Sequence, residues 1–271
     1  MISEPTIIFY DIASAKPLRT FAPNPWKTRL ALNLKGVPYR TEWVDMPDIP
    51  ALRTRLGVPA NRTQPDGTPF HTLPVIQDLT TNTIIGDSFE IALYLDKQCP
   101  DGPSLFLPGT IGLTAAFNAH VDSIFTPFSA LCDEMPFDPR IADAVQAIFA
   151  KRLGVDSLPH MSDDERESML VAFEAALCEL SKSYHHTGGT TDHLWRARGT
   201  DASMAQRGKV EEDVGPWLDG ERPVYADVIV GAWLKMMEAS LGKGEWERLR
   251  TWQGGLWGRV VDGLVEWSVV V

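Results

Sequence analysis

Cysteine is scarce in this 271-residue sequence. Cys99, Cys132 and Cys178 are odd in number and far apart, which excludes a disulfide framework and a cysteine-rich zinc site. Positive charge is in deficit: 25 lysines and arginines face 36 acidic residues, for a net charge of −11. So acidic a chain lacks the excess cation needed to neutralise phosphates, which argues against nucleic acid as a partner and against docking on an anionic membrane. Long apolar runs are missing as well. "VIVGAWL" at 228–234 falls far short of the roughly 20 residues that span a bilayer. The opening "MISEPTIIFYDI" carries Glu4 and only a short apolar run, which does not read as a signal peptide. Together these shortages point to a reducing, cytoplasmic setting.

Hydrophobic residues are not in short supply. They make up 44% of the chain, enough for a packed core, and the length suits one large domain or two ordinary ones. "TIIFYD" (6–11) reads as a short strand, and "YRTEWV" (39–44) alternates, with Tyr39, Thr41 and Trp43 on one face. Between them Trp26, Leu30 and Leu34 recur every four residues, the stripe of a helix, with Gly36 in the C′ position. Strand, helix, strand is a βαβ unit with parallel strands. Residues 45–72, rich in proline, read as irregular with one short helix. A hairpin follows (75–78 and 83–85), then a helix over 87–99 opened by Asp87 as N-cap with Glu90 completing a capping box.

After "PDGPSLFLPGT" the strand signals fade. Helical patterns occupy about 111–134, 139–152, 163–184, 204–218, 225–241 and 245–267, and "SDDE" at 162–165 is a second capping box. Residues 185–203 read as a long loop. The chain therefore divides into an α/β half (1–103) and an all-helical half (104–271).

Two helix starts carry the chemistry. Asn24 is a good N-cap and Pro25 then occupies N1, where a missing N–H costs nothing. The amides of Trp26 and Lys27, helped by the helix dipole and the charges of Lys27 and Arg29, make an anion site. Such a site after a first strand is where thioredoxin-like folds hold a thiolate. No cysteine stands there, so the thiolate must arrive on a cofactor. At the second start the amides and the Ser88 hydroxyl suit a carboxylate, and Asp87 suits an amine. Leu73-Pro74 precedes the intervening strand. A cis bond there turns the Leu73 backbone outward, free to pair with an extended peptide. Sulfur site, peptide edge and amino-acid site, in that order, suit γ-Glu-Cys-Gly.

At this point "PNPWKTRLALNLKGVPY", "TLPVIQD", "GDSFEIALYLD" and "PVYADVIVGAWL" resemble a cytosolic glutathione transferase over nearly the whole chain. The likeness is to the fungal etherase-related class, whose pattern SPNxWKTRxALNxKGxPY is matched almost position by position. It implies a thioredoxin-like domain, an all-helical domain, a homodimer and glutathione as co-substrate. By position it assigns Leu73, beside Pro74, to the cysteinyl unit, Asp87 and Ser88 to the γ-glutamyl end, and His71 and Thr72 to the glycyl end. The family's thiolate-donating serine falls on Ala22, whose methyl group donates nothing. That leaves Asn24 and the helix amides to hold the sulfur. Val224 replaces the family's capping Ser or Thr, beside Asp227.

A hydrophobic aromatic second substrate is expected between the halves, bordered by Phe21 and Trp26 and lined by Phe125, Phe128 and Met135, although the helix pattern does not separate cleft-facing aromatics from core ones. The resemblance implies attack of the thiolate on aromatic electrophiles or aryl ethers. The loss at Ala22 admits a glutathione-binding carrier of hydrophobic aromatics with weak catalysis, or an interaction subunit without glutathione. His185, His186 and His193 read as loop histidines, not metal ligands. Cys132 and Cys178 fit apolar helix faces.

Overall fold

The computed structural model describes residues 5–16, 20–157, 161–186 and 216–271. Strand β1 (Ile7–Ile12), helix α1 (Pro23–Lys35) and strand β2 (Tyr39–Val44) form the expected βαβ unit, with β1 and β2 parallel from Ile7 opposite Tyr39 to Ile12 opposite Val44. Helix α2 (Ile49–Arg55) follows. The proline-rich region also holds a small antiparallel hairpin, β3 (Arg62–Thr63) with β4 (Pro69–Phe70), where the sequence suggested only irregular chain. Strands of two residues are too short for alternation to show. Strand β5 (Val75–Asp78) runs antiparallel to β1, and β6 (Thr83–Ile85) antiparallel to β5. The sheet order is β2-β1-β5-β6, and helix α3 (Ser88–Gln98) closes a thioredoxin-like βαβ–ββα unit.

Only helices follow among the described residues: α4 (Ile111–Phe125), α5 (Ala142–Leu153), α6 (Asp163–Ser181), α7 (Tyr225–Ser240) and α8 (Lys243–Gly263). Two expected spans change. The helix drawn over 111–134 stops at Phe125 and gives way to a 3-10 turn at Thr126–Leu131, because Pro127 has no N–H to continue the ladder. The one drawn over 245–267 is broken at Trp252–Gly255, where Gln253, Gly254 and Gly255 have φ of 47°, 65° and 80°. Paired glycines tolerate that left-handed run, and the Gln253 side-chain oxygen Oε1 accepts from Trp257 Nε1 at 2.5 Å. The helix expected over 204–218 and the loop over 185–203 fall almost wholly outside the described residues. The 162–165 capping box forms on Ser162 and Glu165. Val224 offers no side-chain cap to α7. Instead Asp227 takes the amides of Val224 (2.9 Å) and Leu218 (2.6 Å).

β1 is buried on both faces, as a central strand flanked by helices must be. Ile7 and Phe9 join a core that runs through α1 and α3 into the helical half, while Ile8, Tyr10 and Ile12 join a second cluster on the other side of the sheet. That second cluster also takes in Phe21, Leu73 and, from α5, Val145. Cys132 is buried, whereas Cys178 is exposed on α6 and is not the core residue its pattern suggested. No helix among the described residues is long and apolar enough to cross a membrane.

Candidate functional site

The start of α1 lies two residues earlier than expected, so Asn24 is not its cap. Ala22, extended as a residue before proline prefers, holds the N-cap position with no side-chain bond. Pro23, Asn24 and Pro25 are the first three helical residues. The Trp26 amide bonds to the Ala22 carbonyl at 3.1 Å, and Lys27 lies deeper in the ladder. Neither proline carries an N–H. The first turn therefore presents a single open amide, that of Asn24, where the sequence suggested those of Trp26 and Lys27.

The two cations of α1 are not free charge at the helix mouth. Lys27 is fully buried, with Nζ 2.8 Å from Asn118 Oδ1 and 2.9 Å from Asp122 Oδ1 on α4. Trp233 Nε1 donates to the same Asp122 oxygen at 2.7 Å, and Asn118 Nδ2 donates to the other at 3.2 Å. Burial pulls the Lys27 ammonium below its ordinary pKa, with Asp122 as the main opposing influence. Arg29 donates to Asp11 Oδ2 at 2.8 Å, both side chains fully buried, and its guanidinium lies 4.9 Å from the Phe9 ring and 5.2 Å from Trp43. Burial pushes the Asp11 carboxyl up against the pull of Arg29. Tyr39 and Thr41 accept from Arg29 too, which explains their shared face on β2.

The Leu73-Pro74 bond is cis. The Leu73 side chain is buried, and its amide and carbonyl have no partner among the described residues. Arg53 on α2 sets this edge: it donates to the carbonyls of Thr72 (2.5 Å), Gly86 (3.1 Å) and Pro59. At α3, Asp87 is the N-cap, and its Oδ1 accepts from Phe89 N at 2.8 Å and Glu90 N at 3.2 Å. Glu90 is exposed and closes no reciprocal bond. Ser88 is buried, and its carbonyl accepts from the Tyr225 hydroxyl at 2.8 Å.

One concavity gathers Asn24, Thr72, Leu73, Pro74, Asp87 and Ser88. Asn61, Arg62, Phe89, Asn118 and Asp122 line it as well, none of them singled out from sequence. Asn118 and Asp122, four apart on α4, carried a spacing signal; Arg53 carried none. His71 is outside that lining and half-buried, with Nδ1 lacking a partner. Ala22 packs on the second hydrophobic cluster.

The five expected second-substrate residues scatter. Phe125 is fully buried and stacked on Trp233 at 5.4 Å, and Trp26 is 4% exposed, so both belong to the core and not to a cleft wall. Phe128 stacks on Phe173 at 4.5 Å, against the same core. Phe21 meets Phe137 edge-on at 5.0 Å, and Phe137 lies 5.9 Å from Phe149 on α5. Met135 touches both clusters. Aromatic density beside Ala22 thus comes from Phe137 and Phe149, which the sequence did not single out. No group of His, Cys, Asp and Glu arranged to hold a metal occurs among the described residues.

Comparison with known proteins identifies the fold's family. Residues 21–98 match the model for the glutathione S-transferase N-terminal domain, and residues 137–267 that for the C-terminal domain. A glutathione S-transferase of Ceriporiopsis subvermispora, CsGST63524, solved in complex with glutathione, is 30% identical, covering 98% of this chain and 99% of that one, with a TM-score of 0.79. The glutathione transferase GSTFuA3 of Phanerochaete chrysosporium is 29% identical over 99% of both chains, with a TM-score of 0.80. The glutathione S-transferase-like protein ustS of Aspergillus flavus is 28% identical over 85% of this chain and 80% of its own length.

Proposed function

The chain belongs to the glutathione S-transferase family, and from that premise we propose that it binds glutathione and directs its thiolate at hydrophobic aromatic electrophiles, aryl ethers among them. The observation that carries this reading is the meeting of three features in one concavity: the open Leu73 edge beside cis-Pro74, the start of α3 at Asp87 and Ser88, and the start of α1 at Asn24. The cysteinyl unit pairs with the Leu73 backbone. The γ-glutamyl carboxylate meets the Ser88 amide and hydroxyl, and its ammonium faces Asp87. The sulfur then lies toward α1, where the Asn24 amide, the Asn24 side chain and the helix dipole favour the thiolate. His71 and Thr72 lie on the glycyl side.

The aromatic acceptor belongs beside Ala22, against Phe137 and Phe149, which are only partly buried, whereas Phe21 is core. The resemblance adds a homodimer in the cytoplasm as the setting.

A second reading is favoured by Ala22 itself. With no hydroxyl at the sulfur, the protein holds glutathione and carries hydrophobic aromatics while catalysing little. Turnover of a chromogenic aryl halide with glutathione separates the two. The transferase reading expects saturable turnover that falls at least tenfold in Ser88→Ala. The carrier reading expects glutathione retention with a rate no higher than that in buffer.

A further inference from the structure

Arg53, near the end of α2, is a buried cation with no acid bonded to it. It is 1% exposed, and among the described residues its bonds all go to main-chain oxygens: Nη1 donates to the carbonyls of Thr72 (2.5 Å) and Gly86 (3.1 Å), and Nη2 to that of Pro59. Buried charges are ordinarily paired with a carboxylate, so an arginine set on carbonyls contributes the shape of its planar fork. The two oxygens on Nη1 belong to particular peptide planes. The Thr72 carbonyl shares its plane with the Leu73 amide, and the Gly86 carbonyl shares its plane with the Asp87 amide. Both bonds are trans, so each N–H points opposite its carbonyl and away from Arg53. Leu73 and Asp87 line the concavity, whereas Arg53 borders a neighbouring groove with Leu56, Val58 and Ile84. Gly86 makes room for the grip: a Cβ there would lie 2.9 Å from Arg53 Nη2 and closer still to Val58 Cγ1.

We propose that Arg53 is a positioning residue that fixes the spacing between the Leu73 edge and the start of α3, and so makes the site selective for the length of the γ-glutamyl arm. The inference rests on the glutathione reading. One rigid fork holds both peptide planes, so a ligand whose cysteinyl unit pairs with Leu73 meets Asp87 and Ser88 at a single distance. A peptide one methylene shorter cannot satisfy both ends at once.

Isothermal titration calorimetry with glutathione and with β-aspartyl-cysteinylglycine, shorter by that methylene, tests it. The wild type is expected to bind glutathione about tenfold more tightly, as loss of one charge-assisted bond predicts. Arg53→Lys keeps the charge but replaces the fork with a point donor, and is expected to bring the ratio within about threefold. A merely structural loss scales both affinities together and leaves their ratio where it was. Should Arg53→Lys fail to fold, Gly86→Ala combined with Val58→Ala decides: it sets a methyl group against Arg53 with the Val58 clash relieved, while Val58→Ala alone is expected to keep the wild-type ratio. A wild type that binds the two peptides equally, or a ratio unchanged in the folded variants, overturns the spacing role and leaves the glutathione reading standing. A wild type that binds neither peptide overturns both.

Discussion

At the mouth of α3 a carboxylate caps the helix and takes two of its amides; at the mouth of α1 nothing caps it, and two prolines have removed all open amides but one. Both starts open on the same concavity. The α3 start is rich in polar atoms at fixed positions, which suits a ligand group with both charges, such as the amino-acid end of a peptide. The α1 start is sparse, which suits a single soft atom that needs only a bias toward its anion. The contrast lies in anchoring as well. α3 is held by its own cap and by Tyr225, whereas α1 is pinned by cations sunk to either side, Lys27 on α4 and Arg29 on β1.

The hardest test of that contrast removes an anchor. Lys27→Ala strands Asp122 half-buried without its ammonium and is expected to cost about 3–5 kcal/mol of stability, read by denaturant unfolding, as breaking a buried pair does. A loss under about 1 kcal/mol removes the pinning of α1 from the account. Next in size, Ala22→Ser supplies the missing donor at the sparse start. It is expected to stabilise bound thiolate by roughly 1.5–3 kcal/mol, lowering the thiol pKa by about one to two units. Ultraviolet absorbance of bound glutathione against pH measures this, and an unmoved titration removes position 22 from the mechanism. Asp87→Ala strips the rich start of its cap, for about 1–2 kcal/mol of stability and weaker glutathione binding. Asp87→Asn separates the two effects: it keeps the cap and so the melting temperature, yet still loses affinity for the ammonium. Smallest is Pro25→Ala, which returns one amide to α1. A helix-terminus effect of about 0.3–1 kcal/mol is expected on the same thiol titration.

Much of this was legible from spacing. Strand alternation, the stripe of Trp26, Leu30 and Leu34 and Asp87 as a cap all follow from local chemistry. What could not be read depended on distant partners. Lys27 finds Asp122 across 95 positions and Arg29 finds Asp11 across 18, so charges that the sequence offered to an anion site are sealed. Phe125 carries the same letter whether it faces a cleft or Trp233. Pro127 did mark the end of α4, but a continuing apolar pattern masked it. The first turn of α1 was misread by two residues because Asn24 outranks Ala22 as a cap in isolation, while Pro23, already helical, leaves the cap position to the alanine.

The helical half grips α3 by its main chain, through the phenol of Tyr225 on the carbonyl of Ser88, with Phe89 and Phe106 packed against the same ring at 5.6 and 5.1 Å. A backbone grip is indifferent to which side chain stands at position 88. Attachment of the two halves and capture of a small molecule are thereby written into different atoms of one residue, so evolution can retune the second without loosening the first.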